Sequence, residues 1–274
     1  MNPPFGGKEG KDAQIPYDYK TNATQVLFLQ NVLKSMKPGS KCGIVLDEGV
    51  LFRTNEEAFV KTKEKLLEEC DVHCIVSLPG GVFTSAGAGV KTNLVFFTKG
   101  RQTEKIWYYD LSDVKTGKKT PFTQAHFDDF FKLLPTRPES ERSWTVDFSA
   151  RQEKAREEAR PFHEKANEFA IQAEALETEL SAKKKNKNAP KDELDALELN
   201  WKTVLKSSRE NRSKANDIEN AVYDLKAVNP NRKIVTDTRT PAELLDFIES
   251  KGREADAALS RLRELINAPY QSEV

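Results

Sequence analysis

From Ala150 onward the apolar residues advance in alternating steps of four and three: Ala155, Ala159, Phe162, Ala166, Phe169, Ala173, Leu176 and Leu180. That spacing lays small and large side chains on one stripe of an α-helix, the pattern of long helices packed side by side. Pro161 falls inside the stripe, so the helix either begins or kinks there. After the turn-like KKKNKNAPK a second stripe runs through Leu194, Leu197, Trp201, Val204, Ser208, Asn211, Ala215, Ile218, Val222 and Leu225. Continuous from about Lys191 to Val228, it predicts a helix about 57 Å long at 1.5 Å per residue, enough to project beyond a globular body. Ser208 and Asn211 either set the register of this seam or mark where it meets solvent. Thr240-Pro241-Ala242-Glu243 combines a capping box with proline at the first helical position and starts a third helix, which Ala268-Pro269 ends. Gly252 lies on its stripe and reads as a close-packing point.

Upstream the period is different. Val26, Leu29, Leu33 and Met36 mark a helix that Lys37-Pro38-Gly39 stops, and CGIVLDEGVLF follows as an apolar run of the kind found in a strand buried on both faces. Thr54 or Asn55 caps the next helix, with Phe59, Leu66 and Leu67 on its inner face. VHCIVSLP, the glycine-rich GGVFTSAGAGVK, TNLVFFTK and KIWYYDL complete the series. Helix and strand in alternation predict an α/β layer with at least partly parallel strands. Pro121, Pro135 and Pro138 break the following stretch into short pieces, one of which, AHFDDFFKLL, reads as a brief helix. The expected organisation is thus an α/β domain at 1–111, a connector at 112–149 and a helical region at 150–274.

Lys+Arg and Asp+Glu are balanced at 43 each, so bulk charge supplies no basic footprint and any nucleic-acid role rests on local patches or a partner. Lys183, Lys184, Lys185 and Lys187 form one such patch, readable as a solvated hairpin tip or as phosphate contacts. No apolar run approaches the roughly 18 residues of a membrane span and the start has no signal-peptide pattern, which predicts a cytoplasmic location. Cys42, Cys70 and Cys74 lack a CxxC or histidine partner and read as reduced thiols, not a metal site. His73, His126 and His163 are scattered, with no neighbour suggesting a triad.

The chain opens on MNPPFGG. In Asn2-Pro3-Pro4-Phe5 each proline fixes its own φ and excludes the preceding residue from the helical region. The result is a stiff turn with free carbonyls, an amide and a ring, suited to a flat polar ligand and equally to an ordinary terminal loop. Followed by a helix containing Gln25 and Phe28, then KPGSKCGIVLDEGVLF, LPGGVF and KTNLVFFTKG, the motif resembles the second half of the catalytic domain of amino-methylating DNA methyltransferases. More narrowly it resembles the modification subunit of type I restriction-modification systems, N6-adenine methyltransferases, over about Asn2 to Asp110.

The resemblance implies a fold, a chemistry and partners. The fold is α/β: the C-terminal strands of a Rossmann-like methyltransferase sheet, followed by a long-helix region. The chemistry follows from the adenine amino nitrogen, a poor nucleophile whose lone pair is delocalised into the ring. Two acceptors, the Asn2 side-chain oxygen and the Pro3 carbonyl, would grip its hydrogens while Pro4 holds the turn and Phe5 stacks on a base flipped out of the duplex. Phe83 is the candidate for a second stacking surface, or else an anchor of its loop in the core. Implied partners are the specificity subunit, docked on the long helices, the restriction subunit and double-stranded DNA.

One departure bears on activity. In the family a glycine-rich loop that receives S-adenosylmethionine lies upstream of the Asn-Pro-Pro-Phe turn, and here only Met1 precedes Asn2. The expectation is a C-terminal fragment that keeps the target-base turn, binds no S-adenosylmethionine and is inactive alone. An uncovered sheet edge would then favour self-association. A non-catalytic helical interaction module is the first alternative. A protein-glutamine methyltransferase is the second, although such enzymes usually carry tyrosine at the position of Phe5 and lack the helical tail.

Overall fold

Met1–Arg232 and Lys233–Val274 form two units in the computed structural model, whose described residues are 1–83, 90–117, 120–185, 190–226, 228–231 and 239–267. In the first unit five strands, β1 (Lys41–Asp47), β2 (Cys70–Ser77), β3 (Thr92–Lys99), β4 (Lys105–Asp110) and β5 (Ser143–Asp147), make one sheet in the order β1-β3-β2-β4-β5. β2 and β4 are parallel and the other pairs antiparallel, so β1, β2 and β4 all point the same way. The expected mixed α/β layer is present.

Alternation along the strands sends side chains to two separate cores. Ile44, Leu46, Ile75, Val95, Phe97 and Tyr108 face one side, under α1 (Thr24–Ser35) and α3 (Glu57–Glu69). Cys74, Val76, Trp107 and Tyr109 face the other, where Phe130 of α4 (Asp128–Leu133) closes over them. At about 25 cal/mol per Å² of apolar area removed from water, each fully buried large side chain here contributes about 1.5–3 kcal/mol. α1 buries the expected face and stops at Ser35, ahead of the Lys37-Pro38-Gly39 turn, where Gly39 takes φ +81°.

Several expectations need correction. The run CGIVLDEGVLF is a strand only as far as Asp47, whose carboxylate accepts the amide of Val50 (2.8 Å) and starts the short helix α2 (Glu48–Phe52). α3 begins at Glu57 with Glu56 as its N-cap residue and no side-chain cap, so neither Thr54 nor Asn55 caps it. The stretch set apart as a connector supplies a strand: β5 pairs with β4, and Trp144 stacks on Tyr108 with ring centroids 5.3 Å apart and planes 7° from parallel. Its five residues are too few for a legible period, and the tertiary contact decides their conformation.

The long helices pack as a hairpin of α5 (Phe148–Lys185) and α6 (Lys191–Ala221). Pro161 lies inside α5, which begins well before it. Ala155, Ala159, Ala166, Ala173 and Leu180 are buried along the seam. Ser208 is buried too and donates to the carbonyl of Ala166 (2.8 Å), while Asn211 donates to Ser207 O of its own helix. At Ser208 the seam therefore stays closed and holds a cross-helix hydrogen bond. α6 ends at Ala221, short of the expected Val228 and about 46 Å long by helical rise. Val222, Tyr223 and Leu225 leave the helix to join the sheet core, and Leu225 N bonds Leu51 O (3.1 Å). Arg151 closes the helix end by donating to the carbonyls of Ala221 and Asp224.

Two of the tip lysines, Lys183 and Lys184, are engaged within the hairpin, and Lys185 is exposed. Lys183 pairs with Glu179 (3.0 Å) and Glu193 (2.5 Å), and Lys184 with Glu198 (3.0 Å), whereas Lys187 lies outside the described residues. In the second unit Thr240 and Glu243 exchange the expected capping-box bonds at the start of α7 (Pro241–Asn267). Beyond the helix's own backbone nothing lies within 4 Å of a Cβ built on Gly252, so it is not a close-packing point there. Ala268-Pro269 lie outside the described residues.

Candidate functional site

The amino group of Met1 donates to Gly43 O (2.6 Å) and the amide of Val45 donates to Met1 O (3.0 Å). These are the two bonds of a parallel ladder centred on Ile44, so the chain enters the Asn2–Phe5 turn alongside β1 and in the same direction. The turn therefore opens toward the carboxyl ends of β1, β2 and β4, at Asp47, Ser77 and Asp110. In open α/β sheets ligands bind in the crevice at that edge.

Asn2 and Pro4 are exposed, Pro3 is buried and Phe5 is half-buried. The loop after β2 is pinned to β3 by Leu78 N bonding Thr92 O (3.0 Å) and brings Phe83 against Phe5, with ring centroids 5.3 Å apart and planes tilted by 49°. Phe83 also packs against the core containing Cys74 and Trp107. The sequence-derived site residues Asn2, Pro3, Pro4 and Phe5 thus share one turn, and Phe83 meets it from the other side. The glycine-rich segment beyond Phe83, 84–89, lies outside the described residues.

Gln25, named above for its helix, lines this edge together with Ser77, Thr92 and Asn93, which the sequence reading did not single out. Gln25 of α1 accepts the amide of Asp47 on Oε1 (3.1 Å), and Ser77 donates to Asn93 Oδ1 (2.8 Å). Gln25 Nε2, Thr92 Oγ1 and Asn93 Nδ2 are the buried side-chain polar atoms without a partner among the described residues. All three belong to residues bonded to or facing Asp47 or Ser77, since Thr92 is opposite Asp47 and Asn93 opposite Leu46 and Ser77. The signal available in the sequence was Thr92-Asn93, a polar pair at the mouth of an otherwise apolar strand.

Directly after the turn, Gly6 takes φ +68° and Gly7 lies so close to α1 that a Cβ would sit 2.4 Å from Thr24 Oγ1. Behind them is a cavity of about 160 Å³. A larger cavity of about 620 Å³ lies between α3, α5 and α6, with Glu57, Glu64, Glu68, Asp217 and Glu219 on its walls. No group of residues able to hold a metal ion occurs among the described residues. Burial pushes the Cys70 thiol up to about 11 and the Cys74 thiol to about 12, which makes both poor nucleophiles.

A methyl-donor site of the kind the resemblance implies needs a glycine-rich loop leading from a strand into a helix. Among the described residues the glycine turn at Gly80-Gly81 follows β2, and the next element is the strand β3. No helix among the described residues is long and apolar enough to cross a membrane.

Residues 1–177 match the sequence model of the N-6 DNA methylase family. The chain is 37% identical over 162 residues to the type I restriction enzyme EcoEI methylase subunit of Escherichia coli, covering 53% of this chain and 32% of that protein. It is 32% identical over 148 residues to the EcoKI methylase subunit of E. coli K12, covering 50% and 27%. A modification subunit of a putative type I restriction enzyme from Vibrio vulnificus superposes with TM-score 0.50 at 30% identity, over 54% of this chain and 33% of that one. A chain from a structure of the assembly and conformational transition of the type I R-M system superposes with TM-score 0.55 at 30% identity, over 97% and 44%. The chain spans about a third of the length of the curated relatives it matches. With its sheet, its opening turn and most of its first long helix inside the matched region, the chain belongs to the N-6 DNA methylase family, alongside the methylase subunits of type I restriction enzymes.

Proposed function

We propose that this chain carries the target-base side of an N6-adenine DNA methyltransferase of the type I restriction-modification class. The observation that supports it is the parallel ladder from Met1 to β1, which puts the Asn2–Phe5 turn at the carboxyl edge of the sheet. There the Asn2 side-chain oxygen and the Pro3 carbonyl accept the two hydrogens of the adenine amino group. This holds the nitrogen in the geometry in which its lone pair can attack a methyl group. Phe5 supplies the stacking face. S-adenosylmethionine, where bound in the family, supplies that methyl group, and we assign its binding to residues other than these.

Phe83 acts as a gate in this reading. A base sandwiched between two rings needs them about 7 Å apart, twice the ~3.5 Å carbon contact distance, and Phe5 and Phe83 are at 5.3 Å. Phe83 swings aside as adenine enters and then closes on it. The β1-β3-β2 order, with antiparallel β3 inserted between two parallel strands, suits the C-terminal part of a Rossmann-like methyltransferase sheet. The α5–α6 hairpin is the proposed docking surface for a specificity subunit. The 97% coverage against a type I assembly chain supports that reading.

Two calorimetric titrations test the proposal. An adenine-containing single-stranded oligonucleotide binds and Phe5→Ala weakens it, while S-adenosylmethionine shows no micromolar binding. Micromolar binding of S-adenosylmethionine would place the donor site in this chain, and oligonucleotide binding indifferent to Phe5 would remove the target-base assignment. Since β1 is the end strand of the described sheet, light scattering is expected to show a concentration-dependent dimer. A monomer at high concentration would show that this edge is not adhesive.

A further inference from the structure

Gln25 stands in the first turn of α1 at 3% exposure. Its Oε1 is committed to the amide of Asp47, which fixes how the side-chain amide is turned, and its Nε2 has no partner among the described residues. The residue lines the 160 Å³ cavity behind the target-base turn, together with Gly6, Gly7, Lys8, Asp47 and Arg53. A buried amide donor without a partner, on a residue that lines a cavity, calls for an acceptor.

The rest of the cavity favours an anionic acceptor. α1 starts there on Ala23, with no side-chain cap, so the positive end of its dipole borders the space. Lys8 and Arg53 are exposed at the rim. Arg53 is held over the ring of Phe59 (5.2 Å) and bonds Glu56 (3.1 Å). Two carboxylates oppose an anion and both are engaged: Asp47 Oδ1 accepts Val50 N at the start of α2, and Glu9 accepts the Thr24 hydroxyl (3.0 Å). The volume amounts to about five waters at ~30 Å³ each, room for a tetrahedral oxyanion and not for a nucleoside.

We propose that this cavity seats a backbone phosphate of the strand whose adenine enters the Asn2–Phe5 turn, an inference that rests on the function proposed above. Gly6 and Gly7 follow Phe5 directly, and two residues reach at most about 7 Å, so the phosphate belongs to the flipped nucleotide or its neighbour. Phosphate contacts set the register of a nucleic acid. Holding one beside the pivot keeps the strand in place while the base rotates out.

The test uses the full chain and a single-stranded oligonucleotide with one adenine, titrated at several salt concentrations. Gln25→Glu keeps the oxygen that Asp47 N needs and removes the open donor, and Arg53→Gln removes a rim charge. Each is expected to weaken binding about 10-fold, the scale of one hydrogen bond to a charged group. Arg53→Gln should also flatten the slope of log affinity against log salt by about 0.7. A methylphosphonate linkage beside the adenine weakens the wild type equally and Gln25→Glu no further. Binding that depends on Asn2 but ignores both variants and the methylphosphonate overturns the phosphate seat and leaves the base turn standing. If no oligonucleotide binds, the base turn fails and inorganic phosphate decides the seat. A shift of the Gln25 side-chain amide resonances, reduced in Arg53→Gln, then supports it, and no shift overturns it.

Discussion

Asn2→Ala is expected to lower methyl transfer by about 10²–10³-fold in the enzyme that supplies the donor, while leaving stability unchanged. Asn2 is exposed and its side chain makes no hydrogen bond among the described residues that a shorter residue would lose, so truncation is expected to fall within about 0.5 kcal/mol in a denaturant titration. Under the proposed function, truncation removes an acceptor for the adenine amino group, in a site where charge builds up only during transfer. The deficit should therefore appear in kcat more than in KM. Asn2→Asp keeps an acceptor at the same place and should retain a larger share of the rate. Full activity in Asn2→Ala, or a loss of rate matched by a loss of folding, would end the assignment of this turn to the chemistry.

Lys63 carries the second large effect, on stability. Its side chain is 1% exposed, and its ammonium donates to the carbonyls of Leu51 and Arg53, both at 2.7 Å, at the end of α2. Leu51 O also receives Leu225 N, so this one lysine ties α3 to α2 and to the segment that leaves α6. Lys63→Ala leaves a cavity and carbonyls short of a donor, with an expected cost of about 3 kcal/mol in urea unfolding.

The pH dependence has a definite sign. Burial pulls the Lys63 pKa from 10.5 down to about 7, against the pull of the Asp224 carboxylate. Between those values the unfolded chain binds the extra proton, so stability rises with pH through that window, by up to about 1.4 kcal/mol per unit. Below about pH 7 the cost of the buried charge is fully present. The variant should lack this rise, and an equal rise in Lys63→Ala would assign it to other groups.

Periodic segments were legible because their side chains report directly on one neighbouring surface. The α5 and α6 stripes and the capping box of α7 follow from residues three and four apart. The opening turn was legible for a related reason: its prolines restrict the backbone whatever surrounds them. Strand β5 was not, since SWTVD is too short for a period and forms where Trp144 can stack on Tyr108. The end of α6 was misjudged because Val222 and Leu225 continue the helical spacing, while the greater burial available in the sheet core draws them off it.

The amino-acid sequence by itself determined the alternating helix and strand segments, the long-helix stripes, the stiff Asn2–Phe5 turn and the family to which its motifs point, because those depend on local spacing and local stereochemistry. Only the tertiary structure decided that the turn runs parallel to β1, that Phe83 closes on Phe5, and that Gln25, Thr92 and Asn93 leave unpaired polar atoms along one edge. Those facts join residues as much as 78 positions apart, Phe5 and Phe83, and whether a buried polar atom finds a partner is settled only when every other side chain has been placed.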